Sequence, residues 1–303
     1  MLSKYLDPKN DFAFKKVFGQ EKHKRIPISF LNAALCLEGD ERIIDLEFLN
    51  PVQPPEVVAR KESVVDVLVK DDKGQRYIIE MQVAKVKGFE KRAQYYAAKT
   101  YCANFNKTDK YRDLKKVIFL AITDYEMFPN KDGYKSDHCI LDNETFENDL
   151  KDFSFTFVEL PKFTKGLDDL KTLEDKWYYF LKHADESKDI AQILSDNPEI
   201  LEAYNVVERS HWNEEEIEAY DRYILAIGDY EGGLMAAKED GIKEGIKQGI
   251  KQGIEQGVKQ GEHRKAVEMA KNLLSLGILQ EKIANVTGLT EAEIAKLKPK
   301  IVS

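Results

Sequence analysis

The sequence is poor in cysteine, and the cysteines it has are widely spaced. Its 303 residues contain three, Cys36, Cys102 and Cys139, and no two of them form a Cys-x-x-Cys pair. An odd number of isolated cysteines supports neither a disulfide framework nor a zinc site built from thiolates. We therefore expect three reduced thiols, as in a protein of the reducing cytosol.

Long apolar runs are also missing. The longest, from Val117 to Ile122, is far shorter than the roughly 20 residues that a membrane-spanning helix needs. The first residues, MLSKYLDP, lack the apolar stretch of a secretory signal peptide. The sequence therefore predicts a soluble, cytoplasmic protein with no membrane partner.

The chain has no excess of positive charge. Its net charge is −8 and its isoelectric point is near 5.4, which argues against a protein coated in basic surface. An acidic protein can still contact DNA, but it must do so through local basic patches. Because 43% of the residues are apolar, the chain is well able to bury a core.

Several widespread catalytic motifs do not occur. The sequence has no GxxxxGK[ST] loop, no HExxH pair and no GxSxG elbow, so phosphate-loop enzymes, zincins and serine hydrolases are disfavoured. The five histidines also show no metal-ligand spacing; they are His23, His138, His183, His211 and His263.

Hydrophobic periodicity predicts one α/β domain over residues 1–165. A helical segment begins at Asn10 or Asp7 and runs to Leu37, with a break expected at Pro27. A second helix is expected from Gly88 to Phe105. Three further strands are expected at 116–123, 137–141 and 153–160. Helices and strands that alternate in this way indicate an α/β fold, whereas residues 166–235 have a helical pattern.

Glycine recurs every four residues from Gly241 to Gly261, and Ile or Val follows each of the first five. Each glycine inside a helix costs about 1 kcal/mol relative to alanine. Residues 236–263 are therefore either a flexible linker or a helix that forms when it packs against copies of itself, which would make the protein a homo-oligomer. Residues 264–303 predict short helices, the last capped by Thr290 and Glu293. They form either a helix-turn-helix-like unit or an ordinary helical pair.

The clearest hairpin in the chain carries two acids where acids are unusual. Residues 64–69 and 77–83 have the pattern of strands, and the sequence Asp-Asp-Lys-Gly between them favours a turn. Asp66 and Glu80 each lie between apolar neighbours. If residues 71–75 form the loop, position 66 pairs with position 80 and the two acids share a face. A four-residue loop would place position 66 opposite position 79 instead.

Two neighbouring carboxylates repel each other, and burial adds a desolvation penalty. A hard divalent cation such as Mg²⁺ offsets both effects, so the hairpin is a candidate metal site. The alternative is a hairpin at a sheet edge whose acids are simply solvated. Asp11, at the start of its helix, is more typical of a residue that favours the helix dipole than of a metal ligand.

At these residues the sequence resembles the Rpn family of recombination-promoting nucleases, also described as PD-(D/E)XK nuclease family transposases. The glycine tetrads and the helical tail are similar to that family too, and the resemblance covers most of the chain, most securely residues 5–165. It rests on an ordered set of motifs: DFAFKKVF at 11–18, DVLV at 66–69, IEMQ at 79–82, the helix at 92–96 and ELPKF at 159–163.

The resemblance implies a restriction-endonuclease-like (PD-(D/E)XK) α/β core with a helical C-terminal extension. It also implies an endonuclease that cleaves DNA with Mg²⁺, or with Mn²⁺ in its place, and that has a role in recombination or mobile elements. Asp66 and Glu80 would be the metal ligands, and Gln82 would help to position the attacking water. Gln82 stands where the motif has lysine, however, and a neutral amide carries no charge. Either Gln82 suffices, or Arg92 or Lys99 substitutes for the lysine, or activity is weak.

The expected supporting residues are Lys15, Lys16, Arg92, Tyr96 and Lys99. The last three share one helix face, where they either line the site and touch phosphates or belong to a packed face. The two lysines either approach the DNA backbone or form a solvated face. Two other functions stay open: a weak or inactive nuclease-fold module for DNA binding and self-assembly, and an RNase on the same core.

Overall fold

The computed structural model describes residues 3–53, 63–103 and 110–297. Within these ranges the chain forms eight strands and nine α-helices. The strands are β1 (Leu46–Phe48), β2 (Val52–Gln53), β3 (Ser63–Val64), β4 (Val67–Asp71), β5 (Arg76–Gln82), β6 (Val117–Thr123), β7 (Lys135–Cys139) and β8 (Phe153–Glu159). The helices are α1 (Asp11–Phe18), α2 (Arg25–Ala34), α3 (Phe89–Cys102), α4 (Leu173–His183), α5 (Gln192–Ser195), α6 (Pro198–Val207), α7 (Glu214–Ser275), α8 (Gln280–Thr287) and α9 (Glu291–Lys296).

Six strands form one mixed sheet in the order β1–β4–β5–β6–β8–β7. The three central strands β5, β6 and β8 are parallel, and the pairs towards both edges are antiparallel. Every residue of β6 is buried, as expected for a parallel strand covered on both faces. β2 and β3 form a separate antiparallel pair.

Side chains alternate between the two faces of the sheet, and a different set of helices covers each face. On β5, Tyr77 and Ile79 join the larger core, which also contains residues of α1, α2, α4 and α6. Ile78 joins a second cluster with Ala93 and other residues of α3. Glu80 is two residues from Ile78 and therefore has the same parity. The face that carries Glu80 is the one that α3 covers.

The β4–β5 hairpin has the register expected from a five-residue loop. Lys70 pairs with Arg76, and this register places position 66 opposite position 80. Asp71 fastens the turn because its Oδ1 accepts hydrogen bonds from two loop amides, at 2.9 and 2.8 Å. Gly74 supplies the left-handed backbone conformation of the turn, with φ +83°.

The first strand of this hairpin is shorter than predicted. β4 begins only at Val67, and Asp66 lies at a bend between β3 and β4. The predicted strand 64–69 is divided because Val64 pairs with Val52 of β2, while Val67 pairs with Ile79 of β5. The bend joins two segments that pair with different strands.

The predicted helical segment at the start of the chain is two helices, but Pro27 does not separate them. Asn10 caps α1, since its side chain accepts hydrogen bonds from the amides of Phe12 and Ala13. The break lies between α1 and α2, after Gly19. Pro27 is in the first turn of α2, where a missing amide hydrogen removes no helical hydrogen bond.

The chain divides into two compact units, residues 1–229 and residues 230–303. In the first unit, Trp177 and Phe180 of α4 and Tyr204 of α6 belong to the same core as the sheet. The segment 166–235, treated above as a helical extension, thus contributes to that core. The structure contains no helix among the residues it describes that is long and apolar enough to cross a membrane.

The second unit contains most of α7, from residue 230 onwards, together with α8 and α9. Ala270, Ile283, Leu289 and Ile294 form its small core, and Thr290 caps α9 by accepting a hydrogen bond from the Glu293 amide. The glycine tetrads lie within α7, where a Cβ atom at any of them would meet no atom within 4 Å.

Candidate active site

Asp66 and Glu80 lie side by side at the end of the β4–β5 hairpin that is opposite its turn. The backbone amide of Asp66 donates to Glu80 Oε1 at 3.2 Å, and the Met81 amide donates to Asp66 Oδ2 at 2.9 Å. Glu80 is therefore held by the amide of Asp66 itself, and Asp66 is held by the amide next to Glu80. Glu80 is buried, whereas the Asp66 side chain keeps 15% of its surface exposed. Glu80 is thus shielded from solvent, whereas Asp66 is partly accessible to it.

Burial dominates the electrostatics of the two acids. Burial raises the pKa of Asp66 to about 6, although the hydrogen bond from Met81 and the charge of Lys15 act to lower it. Burial followed by the charge of Asp66 raises the pKa of Glu80 well above its ordinary value. Two acids that resist ionising together in this way are stabilised by a nearby cation.

The chemistry of these donors fits a hard divalent ion. A carboxylate offers about four lone-pair positions, and the hydrogen bonds to Asp66 and Glu80 use only part of them. Mg²⁺ typically binds one or two carboxylates and keeps several waters, which suits a pair with an open side. Among residues 3–53, 63–103 and 110–297, no cluster of three or more His, Cys, Asp or Glu is placed to hold a metal.

Gln82 connects Glu80 to α3. Its Nε2 donates to Glu80 Oε2 at 2.9 Å, and its Oε1 accepts a hydrogen bond from the Arg92 guanidinium. The Arg92 guanidinium also lies 4.8 Å from the ring centre of Phe89 and 6.0 Å from that of Tyr96. The structure thus brings Glu80, Gln82 and Arg92 into one hydrogen-bonded chain.

The two lysines of α1 have different surroundings. Lys15 Nζ is 2.7 Å from Asp11 and 3.7 Å from Asp66 Oδ1, so it lies at the acid pair. Lys16 Nζ lies 2.6 Å from Glu216 Oε1 and 4.1 Å from the ring centre of Trp212, and it is buried. Lys15 joins the candidate site, whereas Lys16 helps to hold α1 against the start of α7.

The other two predicted residues of α3 are both partly buried. Burial raises the pKa of Tyr96; the charge of Arg92 lowers it, and the charges of Glu80 and Asp66 raise it further. The ionisation of Tyr96 therefore depends on the charges of the site residues. Lys99 lies on the same helix face, seven residues beyond Arg92.

Tyr125 is a partly buried residue near the site that was not predicted from the sequence. Its hydroxyl is buried and has no hydrogen-bond partner among the described residues. Burial raises its pKa to about 12, and the charge of Arg92 acts to lower it. Tyr125 follows the carboxyl end of β6, which pairs with β5 at Gln82. Tyr125 could have been identified from the short polar run of residues 124–126, which follows an apolar strand. The carboxyl ends of parallel strands meet at one sheet edge, so residues after them are candidates for a site.

Comparison with known families identifies the family of this chain. A family model described as PD-(D/E)XK nuclease family transposase matches residues 8–237, and one described as Rpn/YhgA-like nuclease family, C-terminal HTH domain, matches residues 263–299. The chain matches no curated protein and no solved structure. The first match spans more than half of the chain and includes the acid pair, so the resemblance inferred from the sequence is confirmed, as is the α/β core with a helical extension. The chain belongs to the PD-(D/E)XK nuclease family transposases and carries the C-terminal HTH domain of the Rpn/YhgA-like nucleases.

Proposed function

We propose that this protein is a Mg²⁺-dependent endonuclease that hydrolyses phosphodiester bonds in DNA. The observation that carries the proposal is the acid pair: Asp66 and Glu80 are held together by backbone amides, with raised pKa values, in a chain of a nuclease family. The proposal also includes a cytoplasmic location. It includes a role in recombination or mobile elements as well, because the family is described as transposases.

The residues of the chain have distinct tasks in this proposal. Asp66 and Glu80 hold the ion, and the Met81 amide fixes the carboxylate of Asp66. Lys15, beside Asp66 and partly exposed, attracts the negatively charged phosphate backbone. When bound, the ion supplies Lewis-acid charge and a water of lowered pKa. Mn²⁺ suits the same oxygen donors.

The C-terminal unit supports DNA as the substrate. It matches an HTH domain, and helix-turn-helix units place a helix in the major groove of duplex DNA. We infer that this unit brings the nuclease core to DNA. RNA is the competing substrate, because the same acid pair can act on either backbone.

Cleavage of supercoiled plasmid tests the activity. We expect nicking with Mg²⁺ or Mn²⁺ that EDTA abolishes and that Asp66→Ala eliminates. Asp72→Ala is the matched control, since it removes an exposed acid from the turn of the same hairpin. Cleavage that persists in Asp66→Ala would contradict the assignment. Labelled RNA is assayed in parallel, and cleavage of RNA alone with the same dependence would replace DNA by RNA.

The second candidate is a catalytically weak or inactive nuclease-fold module that binds DNA and self-assembles. The neutral Gln82 at the position of the motif lysine favours it. Calorimetric titration with Mg²⁺ separates the two functions. The endonuclease requires binding that Asp66→Ala removes, whereas no binding to the wild type supports the inactive module.

We also propose that α7 associates with copies of itself, so that the protein is a homo-oligomer. Five apolar side chains at the tetrad positions are more than half exposed: Ile242, Ile246, Ile250, Ile254 and Val258. The glycines beside them would allow close approach of a second backbone. In sedimentation of the full chain we expect Ile246→Glu with Ile250→Glu to reduce the oligomer size, and Lys247→Glu with Lys251→Glu to serve as the control. The same size in the isoleucine variant and the wild type would contradict the proposal.

A further inference from the structure

Gln82 uses both hydrogens of its amide on protein atoms. Its Nε2 donates to Glu80 Oε2 at 2.9 Å and to the Met81 carbonyl oxygen at 3.0 Å. The orientation of the amide is fixed by chemistry, because the guanidinium of Arg92 has no acceptor and can only donate to Oε1. In this arrangement neither amide hydrogen is left to orient an attacking water.

Arg92 carries the charge that Gln82 lacks. Its guanidinium is tied to Gln82 and packs over the ring of Phe89. Its Nε is buried and has no hydrogen-bond partner among the described residues. A buried donor without a partner costs about 1–3 kcal/mol, so the guanidinium keeps hydrogen-bonding capacity that the fold does not use. Arginine is also suited to phosphate because its planar fork presents parallel donors.

The position of Arg92 also distinguishes it from Lys99. Arg92 is bonded directly to the residue that replaces the motif lysine. Lys99 lies seven residues further along α3, about 10 Å along the helix axis. Lys15 is a second cation at the acids, but it approaches Asp66 from α1 and is paired with Asp11. Arg92 is thus a cation that reaches Glu80 through a direct hydrogen bond to Gln82.

We propose that Arg92 is a catalytic residue that stabilises charge on the scissile phosphate, and that Gln82 is a positioning residue that holds it beside Glu80. The proposal rests on the endonuclease activity proposed above. Gln82 and Arg92 together supply at this position the positive charge that one lysine supplies in the family motif. A lysine placed at position 82 should therefore compensate for loss of the arginine.

A charge swap tests this assignment. We expect Arg92→Gln to lower kcat about 100-fold or more, as for loss of one transition-state donor, with a smaller change in KM and an unchanged melting temperature. Lys91→Gln, the same change on an exposed neighbour in α3, should stay within about twofold. Adding Gln82→Lys to Arg92→Gln should restore at least about tenfold of the lost kcat. No gain from that second change, or a larger loss in Lys99→Gln than in Arg92→Gln, would overturn the proposal.

A binding measurement separates this proposal from the activity itself. Thymidine 5′-monophosphate is titrated into the full-length protein with Ca²⁺ in place of Mg²⁺. We expect Arg92→Gln to weaken binding by about tenfold or more, which corresponds to about 1.4 kcal/mol, and Lys91→Gln to leave it unchanged. Equal binding by wild type and Arg92→Gln, or no binding by either, overturns the role of Arg92. Failure of the wild type to cut nucleic acid would instead remove the proposed activity.

Discussion

Asp66 and Glu80 are joined across the hairpin by a 3.2 Å hydrogen bond from the backbone amide of Asp66 to the carboxylate of Glu80. The Met81 amide, next to Glu80, donates in return to the carboxylate of Asp66. The backbone therefore fixes the separation of the two acids before any ligand arrives. A site organised in this way loses little conformational freedom when it binds an ion.

The cost of burying the charge of Asp66 should be measurable in the free energy of unfolding. Asp66→Asn keeps an acceptor for the Met81 amide but removes one charge, so we expect it to raise the free energy of unfolding of the metal-free protein by about 1–3 kcal/mol at pH 7.5. The folded-state pKa of Asp66, about 6, exceeds the ordinary value of 3.8. The wild type should thus lose stability as the pH rises from about 4 through 6, and the advantage of Asp66→Asn should appear over the same interval.

Thermal melts with EDTA from pH 4.5 to 7.5 measure this difference, and Asp72→Asn in the exposed turn is the control. Addition of Mg²⁺ should stabilise the wild type and leave Asp66→Asn nearly unchanged. A melting-temperature difference that stayed constant across this pH range would show that the pKa of Asp66 is not raised in the folded protein.

Lys15 and Lys16 should separate function from stability. Lys16→Met breaks a largely buried ion pair with Glu216, so we expect a loss of about 1–3 kcal/mol in the free energy of unfolding with cleavage little changed below the melting temperature. Lys15→Met removes a partly exposed cation beside Asp66, so we expect reduced cleavage and nearly unchanged stability. Plasmid nicking and urea unfolding of both variants provide the measurement. Equal loss of cleavage in both would show that Lys16 also serves the site.

Asp175 should anchor α4 through its charge. Its carboxylate accepts a hydrogen bond from Lys165 at 2.6 Å and bonds from two backbone amides. Burial raises the pKa of Asp175, but these bonds outweigh burial and lower the pKa below its ordinary value. We expect Asp175→Asn to cost about 1–3 kcal/mol at pH 7.

Because the folded-state pKa of Asp175 is lowered, its contribution is present above the ordinary pKa of 3.8 and is lost as the pH falls below that value. The gap between the melting temperatures of wild type and Asp175→Asn should therefore narrow towards pH 3. Asp168→Asn, at an exposed acid of the preceding turn, is the control. A melting-temperature difference that did not change with pH would indicate that the shape of the Asp175 side chain, and not its charge, stabilises α4.

The local sequence predicted the hairpin but left two registers open, and the structure has the register of the five-residue loop. The choice matters because a shift of one residue would turn every side chain of a strand to the opposite face. The buried strand β6 and the cap at Asn10 follow from equally short-range rules. The ordered motifs around Asp66 and Glu80 identified the family, which residues 8–237 confirm.

Only the tertiary structure decided which side chains meet. Gln82 of β5 is hydrogen-bonded to Arg92 of α3, and Lys16 of α1 forms an ion pair with Glu216 of α7. Periodicity places a residue on a face, but it does not say which residue from a distant part of the chain packs against that face. The division of the predicted strand at Asp66 has the same origin, because the pairing of β3 with β2 ends one ladder just before the next begins. The sequence thus determined the acids and the hairpin that carries them, and the packing of α1 and α3 around that hairpin determined their partners.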